Sequence, residues 1–351
     1  MDKCLLKCYI YFRMVFGMKL YRDYLFLFFI LFVSIIERTF CIWIFHTVIT
    51  LKGVNSVKVG FIGAGKVGFS LGKYLKEQGI HVSGYYSKSQ NSAKSAADFT
   101  NTKKYNSIEN LLSDSDTIFV TVPDSVIGEI WDYMKNLDIK NKNICHCSGS
   151  ISSAAFFDAY KYGACVYSVH PLYAISSKFE SYKELNNAYF TIEGSNKNIN
   201  DIVEIFEKAG NKVIVTSPEN KSLYHCGAVV ASNLVVGLYS MGVDILESCG
   251  FEREFAKKAL ANLFIGNANA IVEKGYVEAL TGPVERCDIS TIEKHIYSIQ
   301  NSDNLKSKEN LLKIYLLLSE KLVEIGEEKH LNRDYSKVTE VINNEKHNIN
   351  I

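Results

Sequence analysis

At 351 residues, 47% of them hydrophobic, the chain is long enough for two domains with sizeable cores. Its formal charge of +1 argues against a nucleic-acid-binding surface as the main function. Nine cysteines fall in no paired C-x-x-C spacing, which speaks against a zinc ribbon or a secreted disulfide framework and for free thiols in a reducing cytoplasm.

Residues 1–53 stand apart from the rest. Two apolar blocks, 24–36 and 39–51, are split by Glu37-Arg38 and preceded by Lys3, Lys7, Arg13, Lys19 and Arg22. Each block falls short of the ~20 residues that span a bilayer. No small-residue cleavage site follows, so the segment does not read as a secretory signal. One expectation is a membrane anchor at 24–51 with its basic flank inside. The preferred one is a mis-called start. Lys52-Gly53-Val54 can be encoded as AAR-GGN-GTN, which resembles a ribosome-binding site, and Val57 can be a GTG start codon just ahead of the first strand.

Residues 54–216 read as a dinucleotide-binding domain. The apolar run 57–62 predicts a buried strand, which leads into Gly63-x-Gly65-x-x-Gly68 and then into helical spacing. Gly63 suits the tight turn, Gly65 a close approach of backbone to pyrophosphate, and Gly68 close packing of helix on strand. The helix start, with Lys66 and Val67, offers unpaired N–H groups to phosphate. A second strand is expected at 79–86. An acidic residue at its end would select NAD, but the chain has Ser87-Lys88-Ser89, a lysine between two hydroxyls that suits the 2′-phosphate of NADP.

Helices are expected at 91–99 and from Ser107, which reads as an N-cap. The apolar stretch 116–122 predicts a strand buried on both faces of a parallel sheet. Val122 and Pro123 at its end are candidate cofactor contacts, whereas Asp124 reads as the cap of the next helix. Further strands follow at 143–147 and 164–172. Ser148-Gly149 and His170-Pro171 read as loops beside the nicotinamide. Cys145, His146 and Cys147 alternate across a strand and cannot jointly ligate one ion, so no metal is expected. Strands at 189–193 and 212–216, joined by a helix at 199–209, bring the sheet to about eight strands.

Residues 217–351 read as helical. One long apolar helix is expected from Pro218 to about Cys249, with Lys221, Tyr224, His225, Ala228 and Ser232 on one stripe. Polar groups on a buried helix need partners, which points to a wet cleft. Lys221, His225 and Asn233 are the candidate catalytic groups, and Ser232 a substrate contact. The Thr281-Gly282-Pro283 turn interrupts two helices, and Arg286 beyond it suits a substrate carboxylate, with a salt bridge to Asp288 as the plainer reading. Residues from Asn343 read as a frayed tail. The long apolar helices point to a homodimer.

His146-x-Ser148-Gly149, Ser168-x-His170-Pro171-Leu172, Lys221-x-x-Tyr224-His225, Ala231-Ser232-Asn233 and Leu280-Thr281-Gly282-Pro283-x-x-Arg286 together resemble the NADP oxidoreductases that join a Rossmann-like domain to a DUF2520 domain. The resemblance runs over about 57–317. It implies kinship with ketopantoate and pyrroline-5-carboxylate reductases, and so a doubly wound α/β parallel sheet followed by an all-α domain. It also implies NADPH as cofactor and a small 2-oxo acid, 2-dehydropantoate foremost, as substrate. Reduction of a cyclic imine and non-catalytic NADP sensing stand as alternatives. A cytoplasmic protein is expected, or a membrane-associated one where residues 24–51 act as an anchor.

Overall fold

The computed structural model describes residues 57–350. The apolar leader, with its anchor and mis-called-start readings, lies outside these residues. The chain divides into two compact units, one up to Glu219 and one from Asn220.

The first unit is an eight-stranded sheet in the order β3-β2-β1-β4-β5-β6-β7-β8. The strands are β1 Lys58–Ile62, β2 His81–Tyr86, β3 Lys103–Lys104, β4 Thr117–Val120, β5 Asn143–His146, β6 Cys165–Leu172, β7 Tyr189–Gly194 and β8 Lys212–Val215. Helices α1 Lys66–Glu77, α2 Gln90–Thr100, α3 Ile108–Asp114, α4 Asp124–Met134 and α5 Ile199–Lys208 join or flank them. Successive side chains of β1 explain the two layers of helices. Phe61 enters a core with Phe69, Leu71, Tyr85, Phe119, Phe190 and Phe206. Its neighbour Ile62 enters a second core with Leu111, Ile118, Trp131, Ile144 and Phe156. A strand whose two faces both find apolar cover has to be largely apolar, as β1 is from Val59 and β4 from Ile118.

Two features depart from the expected parallel sheet. β7 runs antiparallel to β6, and β8 is parallel to β7, so the last two strands oppose the other six. The 173–188 connection holds only a 3₁₀ segment, Ser181–Asn187, and an antiparallel return needs no crossover helix. β3 consists of two lysines, too short and too charged to be read as a strand.

The second unit is helical. It contains α6 Lys221–Ala231, α7 Asn233–Ser248, α8 Arg253–Lys274, α9 Tyr276–Ala279, α10 Ile289–Asn301, α11 Lys308–Lys329 and α12 Ser336–Asn348. Its core joins Ile292 and Ile296 of α10, Leu312, Leu316 and Val323 of α11, and Val338 and Ile342 of α12. The expected frayed tail is instead the end of α12. Burial of Ile342 holds it, as does a pairing of the Lys346 ammonium with Glu320 at 2.8 Å.

The expected single long helix is also corrected. It ends at Ala231 and restarts at Asn233, with Ser232 at φ −129°, ψ −74° between. The Ser232 hydroxyl donates to the carbonyl of Ala228 at 2.6 Å, four residues back, a bond known to bend helices. The stripe of Lys221 and His225 therefore reaches Ser232 only at that break.

Candidate functional site

Six strands of the first unit run parallel, so their carboxyl ends share one edge, and ligands of such sheets bind at that edge. Gly63 leaves β1 at φ +105°, a conformation that favours glycine, and its N–H donates to the Tyr86 carbonyl at 2.8 Å. The Thr121 hydroxyl, just past β4, donates to the Gly63 carbonyl at 3.0 Å. A Cβ on Gly68 would stand 2.5 Å from that hydroxyl oxygen, so the first turn of α1 presses directly on the turn after β1. Gly65 differs. A Cβ there would meet nothing nearer than the Thr121 carbonyl at 3.9 Å. Protein packing does not ask for glycine at 65, whereas a phosphate lying against the backbone does.

The head of α1 fits that use. Gly65 caps it without a side-chain bond, and its first turn carries no acidic residue, so the positive helix end is left for an anion. Lys66 is exposed there and Val67 half-buried. Beyond β2, Ser87 is half-buried while Lys88 and Ser89 are exposed. The Ser89 hydroxyl caps α2 by accepting from the N–H of Ser92 at 3.3 Å, which leaves Lys88 as the cation suited to a 2′-phosphate.

Val122 and Pro123 follow β4 at the same edge. Pro123, not Asp124, occupies the cap position of α4. The Asp124 carboxylate instead accepts from the Ser148 hydroxyl at 2.8 Å. That hydroxyl also accepts from the N–H groups of Ser150 at 3.3 Å and Ile151 at 3.0 Å. Ser148 thus also shapes its own loop, next to Gly149. His146, fully buried at the end of β5, works on the same loop. Its Nδ1 accepts from the Ser148 N–H at 3.2 Å, and its Nε2 stands 3.1 Å from the Ser152 carbonyl, a pairing that puts the proton on Nε2.

His170 and Pro171 do not form a loop: both lie within β6, opposite Thr191 and Phe190 of β7. β6 pairs with β5 only as far as Ser168, so Pro171 sits where the strand has one neighbour and a missing N–H is tolerated. His170 is half-buried and extends past the ends of β4 and β5.

In the second unit Lys221 opens α6 at 1% exposure, its ammonium 5.7 Å from the centre of the Tyr224 ring. Tyr224 and His225 are half-buried one turn on. Asn233 and Ser232 are exposed at the break, and the Ser232 hydroxyl lies 3.0 Å from Asn233 Oδ1. Gly282 turns at φ +107° beside exposed Thr281. The expected bridge from Arg286 to Asp288 is absent: Asp288 caps α10 through the N–H and hydroxyl of Thr291, at 3.1 and 2.7 Å. Among the described residues Arg286 makes no ion pair, and it is exposed.

Several contributors escaped the sequence. Thr121 and Asp124 follow an apolar strand and look like ordinary turn residues. Glu193, in an alternating strand, looks solvent-facing, yet it is fully buried and accepts from the N–H and hydroxyl of Ser153 at 2.8 and 2.7 Å. Its partner lies forty residues upstream, and no local pattern announces it. A cavity of about 780 Å³ opens at the opposite, amino edge of the sheet. Its lining mixes Lys58 and Lys208 with Asp116, Asp201 and Glu204, a balance that selects neither anion nor cation.

Two family models match the chain. Residues 58–145 match the one described as NADP oxidoreductase, coenzyme F420-dependent, and residues 188–322 match the domain of unknown function DUF2520. The second match takes in β7, α5 and β8 of the sheet as well as the helices as far as α11. No curated protein matches. Among solved structures, a protein from Thermotoga maritima is 24% identical with a TM-score of 0.61, covering 77% of this chain and 99% of its own. A Bacteroides fragilis protein named as an NADP oxidoreductase is 20% identical with a TM-score of 0.58, covering 78% and 100%. An imine reductase from a Pseudomonas species is 14% identical with a TM-score of 0.53, covering 78% and 98%. Likeness at these identities establishes the fold: a Rossmann-type sheet followed by helices.

Proposed function

We propose that this chain, an NADP-dependent oxidoreductase that joins an NADP oxidoreductase domain to a DUF2520 domain, reduces the carbonyl of a small 2-oxo acid, with 2-dehydropantoate the leading substrate. Residues 54–216 are read as the nucleotide domain and 217–351 as the substrate and dimerisation domain. Gly63, Gly65, Gly68 and the head of α1 would hold the pyrophosphate, Lys88 the 2′-phosphate, and Gly149 and Val122 the nicotinamide end. Bound NADPH supplies the hydride.

The observation that carries the reading is Lys221. Its ammonium lies out of solvent at the head of α6, over the Tyr224 ring and one turn before His225. Such a position serves a group that gives a proton to, or polarises, an oxygen as charge develops on it. Lys221 or His225 takes that role, which contributes on the order of 10²–10⁴-fold. Arg286 and Asn233 would hold the carboxylate and hydroxyls, the planar fork of Arg286 suiting a carboxylate bidentately.

A cyclic imine is the second substrate reading, favoured by the likeness in fold to an imine reductase. The same lysine would serve an imine nitrogen less well, because a protonated imine needs no further acid. The F420 in the matched description puts that coenzyme in the substrate panel too. A cytoplasmic homodimer fits the free thiols, which number six among the described residues. Growth of a pantothenate-requiring strain lacking ketopantoate reductase, on supply of this gene, is the expected outcome. Failure to grow while the protein accumulates would remove 2-dehydropantoate as the substrate.

A further inference from the structure

We propose that Glu285 is a positioning residue, clamped by His330 and Arg333 so that it cannot neutralise Arg286, its neighbour on the 281–288 turn. The proposal rests on reading Arg286 as the carboxylate-binding residue.

The turn is fastened from one side. Residues 326–335, at the end of α11 and in the link to α12, converge on it. The Glu285 carboxylate, with its side chain 14% exposed, meets His330 Nε2, and Arg333 Nη1 lies 2.9 Å from Glu285 Oε1. Arg333 also donates to the Glu285 carbonyl, as does the Tyr335 hydroxyl at 2.9 Å. Lys329 donates to the carbonyls of Leu280 at 2.9 Å and Glu278 at 3.1 Å. Gly326 makes room for this arrangement: a Cβ there would stand 2.6 Å from the Tyr335 ring. Burial alone would raise the Glu285 carboxyl, but the hydrogen bonds from His330 and Arg333 and the Arg333 charge hold it below its ordinary value.

Two acids flank Arg286, and the hydrogen bonds of both go elsewhere, though Asp288, held low first by its bonds to Thr291, still feels the Arg286 charge. Glu285 faces His330 and Arg333, and Asp288 faces Thr291. A carboxylate one residue from a guanidinium would otherwise compete with an anionic ligand for the same fork. The clamp therefore keeps Arg286 open to a substrate anion. A partly exposed charge cluster contributes little to stability by itself, and removing one partner leaves the others to find new ones.

Releasing the clamp tests this. Arg333→Met takes away one of the two groups that hold Glu285 and loosens it, and Arg333→Met with Glu285→Gln loosens a side chain that can no longer ion-pair with Arg286. The rate at which a phenylglyoxal reagent modifies Arg286, mapped by mass spectrometry, is expected to fall about threefold in the single variant and to return in the double, the scale of one exposed ion pair. The KM for the oxo acid follows the same pattern, rising about threefold and recovering, with kcat and NADPH affinity steady. If Arg333→Met does not fold, His330→Leu with and without Glu285→Gln is the same test. An unchanged modification rate in the single variant, or a double variant as slow as the single, overturns the clamp. A wild-type protein that reduces no oxo acid overturns the functional reading instead, while the modification rates still decide the clamp.

Discussion

Gly65 and Gly68 are three residues apart in one motif, and the structure gives them different work. A Cβ on Gly68 collides with Thr121 and the Gly63 carbonyl, so Gly68→Ala should destabilise by about 1–3 kcal/mol, as overpacking does. A Cβ on Gly65 meets no protein atom closely, so Gly65→Val should leave the melting temperature within a degree or two and weaken NADPH binding instead. Thermal melts and NADPH titrations of both variants separate the cases. If Gly65→Val binds NADPH as tightly as the wild type, the phosphate is not held there. The motif was legible at this scale, since three glycines between an apolar run and a helix have few other uses. What the letters did not carry was the company each residue keeps. Ser148 reads as a cofactor ligand, and the letters did not show that Asp124 and two N–H groups also engage its hydroxyl. Glu285 looked unremarkable because its partners lie 45 and 48 residues away.

Among the elements, strands β1, β2, β4, β5 and β6 could be read from apolar runs bounded by glycine, proline or serine. The direction of β7 could not, because alternation of apolar and polar residues is the same whichever way a strand runs. The break at Ser232 was equally hidden, since serine is tolerated in helices and only its bond to Ala228 bends the chain. Helices α6, α7 and α8 pose a question of their own. Their buried residues are Lys221, Val243 and Ala256, while Leu223, Val236, Leu263 and Val272 stand more than two-thirds exposed. Residues 222–243 hold no lysine, arginine, aspartate or glutamate, and Pro218–Ser248 is apolar enough by composition to cross a membrane. In the proposed homodimer a second copy would cover this uncharged face, which is bordered by the charged ends Asp244, Glu247 and Arg253. Val236→Asp with Leu263→Asp should then convert a dimer to a monomer in sedimentation equilibrium. A wild-type protein that sediments as a monomer without detergent would contradict the assignment.

The whole molecule has two units: a sheet whose carboxyl edge suits a dinucleotide phosphate, and a helical unit that carries a buried lysine and the exposed Arg286. The fold of each was legible because it follows from length, periodicity and punctuation. The substrate was not, because it depends on a few side chains whose neighbours come from distant segments. The measurement that bears most directly on the central claim is NADPH oxidation by the purified protein against 2-dehydropantoate, other 2-oxo acids, 1-pyrroline-5-carboxylate and coenzyme F420, with wild type and Lys221→Ala side by side. Turnover of a 2-oxo acid that falls on the order of 10²–10⁴-fold in Lys221→Ala, with NADPH affinity retained, is the expected result. Full turnover without the lysine, or none with any 2-oxo acid, would contradict it.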